Sequence, residues 1–286
     1  MDNRKSLGFF ILILPALFLV AAVFLVPLFQ LIVFSFWKSV PGSYLPDTSF
    51  SLTNYRRIVG DPYYFQVYLR TIRISAIATL ATLIMAYPLS LYVARQRGMK
   101  KGILMVLVLL PVVGGGLIQT LGWIVLLLPF GVINGSLISL GIIERPLNFL
   151  GRDIGVILGL TQAFMPLMVL PLVASLGAID STIEQAAKSL GANSMRIFLE
   201  ITVPLSLPGV MAGTILVFMA NLTSFVTPLL LGQGKIQVFS TLAYQQAVEV
   251  LDYPFASAFA LFPLMIGLLI WSAVWFSSRL IRRAVA

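Results

Sequence analysis

Gln119, Thr120, Thr161, Gln162, Asn221, Thr223, Ser224 and Thr227 sit inside long apolar stretches of this sequence, and none of them carries a charge. Such side chains can exchange hydrogen bonds with a passing solute or with a neighbouring helix, but they cannot supply a proton-transfer pair. Covalent chemistry is equally out of reach. The chain has neither cysteine nor histidine, which excludes disulfides, thiolate chemistry and the commonest zinc ligands. Its apolar stretches also contain no Asp, Glu, Lys or Arg to form a catalytic dyad. The expectation is therefore a non-catalytic protein. Asn221, Ser224 and Thr227 recur at intervals of three just before the helix break expected at Pro228, which places them along one stripe of the helix. Interhelical bonding and the lining of a solute pathway fit that stripe equally well, as they do Gln119 and Gln162.

The elements that must position these groups are membrane helices. Hydrophobic residues make up 59% of the chain and charged residues only 10%, a composition no soluble surface tolerates. Charge-free runs from Leu7 to Trp37, Ile74 to Ala94, Ile103 to Leu128, Ile154 to Leu176, Leu207 to Leu231 and Phe255 to Ser278 each reach the roughly 20 residues a bilayer needs. The expected fold is an all-α integral membrane protein of six transmembrane helices, a single domain over residues 1–286. The net charge of +9 is spread over short basic clusters between these runs, which points to lipid head groups and topology rather than nucleic acid. RQRGMKK, from Arg95 to Lys101, is a short and strongly basic turn that belongs on the cytoplasmic side, and with it both termini, Arg4, Lys5, Arg279, Arg282 and Arg283 included. The stretch from Pro129 to Ile143 is too short to cross again and reads as a surface helix on the far side. Lys38 to Arg73 and Gly232 to Pro254, rich in Pro, Tyr, Asp and Gly, read as irregular external loops.

The longest polar helical pattern lies between the fourth and fifth runs, in DSTIEQAAKSLGANSMRIFLEITVP from Asp180 to Pro204. Ser181 and Glu184 stand at capping-box spacing, and Gly191 falls where a helix needs a left-handed end. Asn193 or Ser194 then starts a second helix that runs to a break at Pro204.

This stretch resembles the "EAA" loop of the membrane subunits of bacterial ABC importers: Glu-Ala-Ala, three residues, Gly, nine residues, Ile-x-Leu-Pro. Ala186, Ala187, Gly191, Ile201 and Pro204 occupy motif positions, while Gln185 replaces the Glu, with Glu184 one place earlier, and Val203 replaces the Leu. LTSFVTPLLLG (Leu222 to Gly232) and DYPFASA (Asp252 to Ala258) look like the polyamine-type, spermidine/putrescine branch of these permeases.

The resemblance implies the type I importer transmembrane fold, with residues 177–206 as the loop that couples this chain to a cytoplasmic ATPase through Glu184, Gln185, Ala186, Ala187, Gly191, Ile201 and Pro204. No GxxxxGK[ST] occurs here, so ATP and Mg would be bound by a pair of partner ATPase subunits, with no cofactor on this chain. It further implies a second six-span permease, a different chain, and a periplasmic or lipid-anchored substrate-binding protein. An importer of an unrelated anionic solute, a self-contained secondary transporter and a membrane scaffold are the competing readings. A proton-coupled carrier usually needs an intramembrane acid or histidine, which this sequence lacks.

Overall fold

The computed structural model describes residues 3–39 and 47–285, the side chains of 3–13, 271 and 273–285 excepted. The side chains of Arg4, Lys5, Trp271, Arg279, Arg282 and Arg283 thus lie outside the described part. Helix α1 (Asn3–Ser35) is followed by a two-stranded antiparallel ribbon, β1 (Trp37–Lys38) and β2 (Asp47–Phe50), and by α2 (Thr53–Gly60). Next come α3 (Pro62–Ala94), α4 (Gly98–Leu127) and the short α5 (Val132–Ser139). A pair, α6 (Asp153–Ala163) and α7 (Met165–Gly177), leads into the polar α8 (Ser181–Ser189) and α9 (Ser194–Ile197). The chain closes with α10 (Val203–Thr223), α11 (Val226–Leu231), α12 (Phe239–Tyr244) and α13 (Tyr253–Val285).

Among the described residues five helical stretches are long and apolar enough to cross a bilayer: Leu14–Ser35, Pro62–Ala94, Gly98–Ser139, Ser194–Thr223 and Tyr253–Ile270. Counting α6 and α7, bent by 45°, as one span brings the number to six. Pro166 explains the bend, because it has no N–H for the carbonyl of Gln162.

Two expectations about the loops are corrected. Residues 53–60 and 62–73 are helical rather than irregular: Pro62 suits a first helical turn, the Asp61 carboxylate accepts the Tyr63 N–H at 2.9 Å, and Val67, Tyr68 and Ile74 bury the apolar face. Residues 239–249 are likewise helical, α12 continuing into a π-turn at Gln245–Glu249. Polar composition marked these segments as lying outside the apolar spans; their spaced apolar residues decided their conformation. The stretch around Val132 does form the short helix expected of it. Asn134, fully buried, pins α5 by donating to the Leu128 and Leu147 carbonyls and accepting the Leu147 N–H.

The chain divides into two compact units, one formed by residues 1–65 with 242–286 and the other by residues 66–241. In the first, Asn54 donates to the carbonyls of Ser35 and Trp37, both at 2.9 Å, which ties α2 to the end of α1. Asp252 caps α13 by accepting the Phe255 N–H at 3.2 Å. In the second, one apolar cluster holds Ile74, Leu127, Val156, Leu160 and Leu231, and another holds Val93, Met168, Val169, Leu172 and Val217. Helices α7 and α10 pack closely enough that a Cβ on Gly209 would stand 2.5 Å from the Ser175 Cβ and 2.7 Å from the Pro171 carbonyl. Small residues at such crossings let backbones approach where lipid supplies no hydrophobic drive.

Candidate functional site

The polar loop is built from three caps and one widened turn. Asp180, rather than Ser181, begins α8: its carboxylate accepts the Thr182 N–H at 2.9 Å, and that bond holds its pKa below the ordinary carboxylate value. The cap thus moves one residue upstream of Ser181, Ile183 takes the N3 position so no capping box closes, and Glu184 is released for other contacts. Its carboxylate lies 3.2 Å from Arg95 at the end of α3 and accepts the Thr202 hydroxyl at 3.4 Å.

Gly191 ends α8 at φ +84°, in the left-handed region that the spacing anticipated. The Gly191 N–H reaches the Lys188 carbonyl at 2.9 Å and the Ala192 N–H reaches the Ala187 carbonyl at 3.0 Å, a complete Schellman closure. Asn193 then caps α9 by accepting the Arg196 N–H at 2.8 Å.

Pro204 does not break the helix that follows. A π-turn over Phe198–Thr202 joins α9 to α10, and Pro204 stands in the first turn of α10, so the helical path runs from Ser194 to Thr223. The wider turn lets the Val203 N–H bond the Phe198 carbonyl, and a proline one place into a new register loses little.

Gln185, Ala186, Gly191 and Pro204 are exposed, whereas Ala187 and Ile201 are half-buried. Ala187 and Ile201 both line a cavity of about 240 Å³ between α8 and α9, together with Leu190, Ala192, Ile197 and the Arg196–Glu200 ion pair. Leu190, 88% exposed, Met195, Leu199 and Ile183 add an apolar surface to this polar loop. Sequence reasoning missed Leu190, Leu199 and Ile183, since apolar residues within a polar stretch read first as the buried side of an amphipathic helix. It also missed Arg95 as the partner of Glu184, a pairing across 89 residues that no local pattern carries.

The intramembrane polar residues do not form one stripe. Helix α10 ends at Thr223, Ser224 is extended, and α11 begins at Val226, so Asn221 and Thr227 lie on different helices. The break falls upstream of Pro228 because that residue cannot donate to the Ser224 carbonyl four places back; the Ser240 hydroxyl donates to it instead.

Asn221 is buried and donates to Thr79 at 3.1 Å. Thr227, also buried, lies 3.3 Å from Thr120. Gln162 accepts the Trp123 indole N–H at 3.1 Å, linking α6 to α4. In α4 the chain kinks at Gly115, φ +70°, and Gln119 donates to the Pro111 carbonyl that the kink leaves free. Among the described residues no group of three acids could hold a metal ion.

No family model matches the chain. It is 32% identical over 236 residues to the spermidine/putrescine transport system permease protein PotB of Escherichia coli (strain K12), covering 82% of this chain and 86% of that one. It is 28% identical over 276 residues to the inner membrane ABC transporter permease protein YdcU of the same strain, at 92% and 88% coverage. Similarity to the putative 2-aminoethylphosphonate transport system permease protein PhnU of Salmonella typhimurium is 29% over 236 residues, covering 77% and 78%. In fold the chain is similar to a bacterial alginate ABC transporter crystallised with an alginate pentasaccharide-bound periplasmic protein, with a TM-score of 0.76, 19% identity and coverage of 99% and 96%.

Proposed function

Because the chain belongs to the spermidine/putrescine-type family of ABC importer permeases, we propose that it forms half of the translocation pathway of a polyamine importer in the bacterial inner membrane. The observation that carries this reading is the loop of α8 and α9. Its caps and Schellman closure make a short rigid body, and its exposed Gln185, Ala186, Leu190 and Met195 present a surface with an apolar centre. Contiguous exposed apolar surface on a polar element marks a docking site.

In this reading the loop, residues 177–206, faces the cytoplasm, as do both termini of a six-span chain. One of a pair of ATPase subunits grips it, the pair carrying ATP and Mg, and a second permease and a periplasmic binding protein complete the assembly. Rigid attachment is what makes the loop an effective lever. Glu184 ties α8 to α3 and to the π-turn that opens α10, so a shift of the ATPase reaches two membrane helices at once.

This chain performs no catalysis of its own. Gln119, Gln162, Asn221 and Thr227 serve first to join broken helices, through the bonds described above. Ser224 carries the break between α10 and α11, its carbonyl held by the Ser240 hydroxyl.

The test is reconstitution with the cognate ATPase, sister permease and binding protein in proteoliposomes. Uptake of radiolabelled putrescine or spermidine is expected to require ATP and to stop when the ATPase is omitted. Uptake that continues without the ATPase and collapses with the ion gradient overturns the reading.

A further inference from the structure

We propose that a cavity of about 360 Å³ bounded by Leu91, Arg95, Arg97, Lys101, Ile179 and Glu184 binds a phosphate group, either the head group of an anionic phospholipid or free phosphate. It lies within the unit of residues 66–241, where the ends of α3 and α7 meet the starts of α4 and α8.

Three cationic side chains face this space against one carboxylate. Arg95 is paired with Glu184 at 3.2 Å, whereas Arg97 and Lys101 have no ion pair among the described residues. The Lys101 ammonium lies 3.9 Å from where a Cβ on Gly177 would stand, so it reaches over the end of α7 toward the cavity.

Helix α4 adds to the excess of positive charge. Its first turn holds no acid, its N-cap Arg97 makes no side-chain cap bond, and Lys100 and Lys101 sit at the positive end of its dipole. Cations gathered there repel one another and the free N–H groups, and a bound anion relieves both. Guanidinium and ammonium groups supply the donors that phosphate oxygens require. Leu91, Leu176 and Ile179 give the same cavity an apolar wall, which suits the first acyl carbons of a phospholipid.

Occupancy has a consequence at Glu184. Arg95 lines the cavity and also holds Glu184, so a phosphate competes with the carboxylate for the guanidinium and loosens the tie between α3 and α8. Binding itself does not depend on the transport reading; only its effect on coupling does.

The full-length chain in nanodiscs of phosphatidylcholine, with or without phosphatidylglycerol, provides the test, with native mass spectrometry counting retained lipid. Wild type is expected to keep a phosphatidylglycerol that the R97Q/K101Q variant loses severalfold and the charge-conserving R97K/K101R variant keeps, the latter separating charge loss from misfolding. In phosphatidylcholine alone, millimolar inorganic phosphate is added and hydrogen exchange over residues 94–101 is followed; slowing without lipid retention assigns the site to free phosphate. Equal lipid retention by wild type and R97Q/K101Q, together with no slowing by phosphate, overturns the proposal. Uptake is not a readout, so failure of the transport reading leaves this result standing.

Discussion

The Nη2 of Arg95 lies 3.2 Å from Oε1 of Glu184, joining the last turn of one membrane helix to the first turn of a helix outside the apolar spans. Both groups are partly exposed, at 58% and 23%, so the pair contributes no more than about 1 kcal/mol to stability. In the proposed reading its value is mechanical. Arg95→Glu and Glu184→Arg are each expected to leave the protein folded but to lower putrescine-dependent ATP hydrolysis severalfold in the reconstituted transporter. The double reversal restores most of it; failure of the double variant to recover would show that the pair is not the tie.

Gly191 offers a cleaner separation of folding from docking. A Cβ there meets nothing within 4 Å, yet φ is +84°. Gly191→Ala therefore costs only backbone strain, about 1 kcal/mol, and retains substantial uptake. Gly191→Trp carries the same backbone strain and adds bulk from a Cβ position that is open. It is expected to abolish ATP-driven uptake while the purified protein keeps its helical circular dichroism, and undiminished uptake in that variant would remove the loop from the coupling path.

The loop was legible in the sequence because its signals are local: Gly191 was placed correctly, and of the two candidates for the second cap, Asn193 and Ser194, Asn193 takes the role. Ser181 failed for an instructive reason. Asp180 competes for the same role one residue earlier and captures the Thr182 N–H. The apolar spans were legible from length and hydropathy, but the break expected at Pro228 falls upstream, at the carbonyl that proline cannot pair, and at Pro204 a π-turn carries the helix through. Pairings such as Trp123 with Gln162 or Asn221 with Thr79 depend on which helices become neighbours, and a single sequence contains no term for that.

The cap of α8 should respond to acid. Accepting the Thr182 N–H lowers the Asp180 pKa, so the folded loop favours the carboxylate. A depressed folded-state pKa contributes stability that is present above the ordinary carboxylate value and is lost as pH falls through the folded value. Hydrogen exchange of α8 amides is expected to quicken, beyond the intrinsic pH effect, as pH drops below about 4. In Asp180→Asn, which caps without titrating, that added change should vanish.

Asn221 discriminates packing from pathway. Its amide donates to Thr79 while its Oδ1 is buried with no hydrogen-bond partner among the described residues. Asn221→Leu is expected to cost about 1 kcal/mol, as single interhelical bonds in membranes do. Asn221→Asp buries a carboxylate and should cost about 3 kcal/mol, read as a fall in the thermal midpoint in detergent. An Asp variant as stable as wild type, with sharpened preference for the more highly charged amine, would place the residue on a wet pathway instead.

Asp252 is fully buried at the start of α13, where it accepts the Phe255 N–H and the Ser39 hydroxyl and lies 3.5 Å from Arg57. The Arg57 guanidinium in turn stacks 4.3 Å from the Phe255 ring centroid and 5.5 Å from that of Tyr64. Truncating one member of a buried pair strands the other, and the effect depends on which member is buried. Arg57→Ala leaves a carboxylate with two remaining donors and is expected to cost about 2 kcal/mol. Asp252→Ala removes the cap and the two other contacts while Arg57, already 41% exposed, turns to water; it should cost a similar amount, and the double variant little more than either single one. Thermal unfolding of the three variants measures this coupling directly, and strictly additive losses would show that the ion pair holds nothing that the cap alone does not.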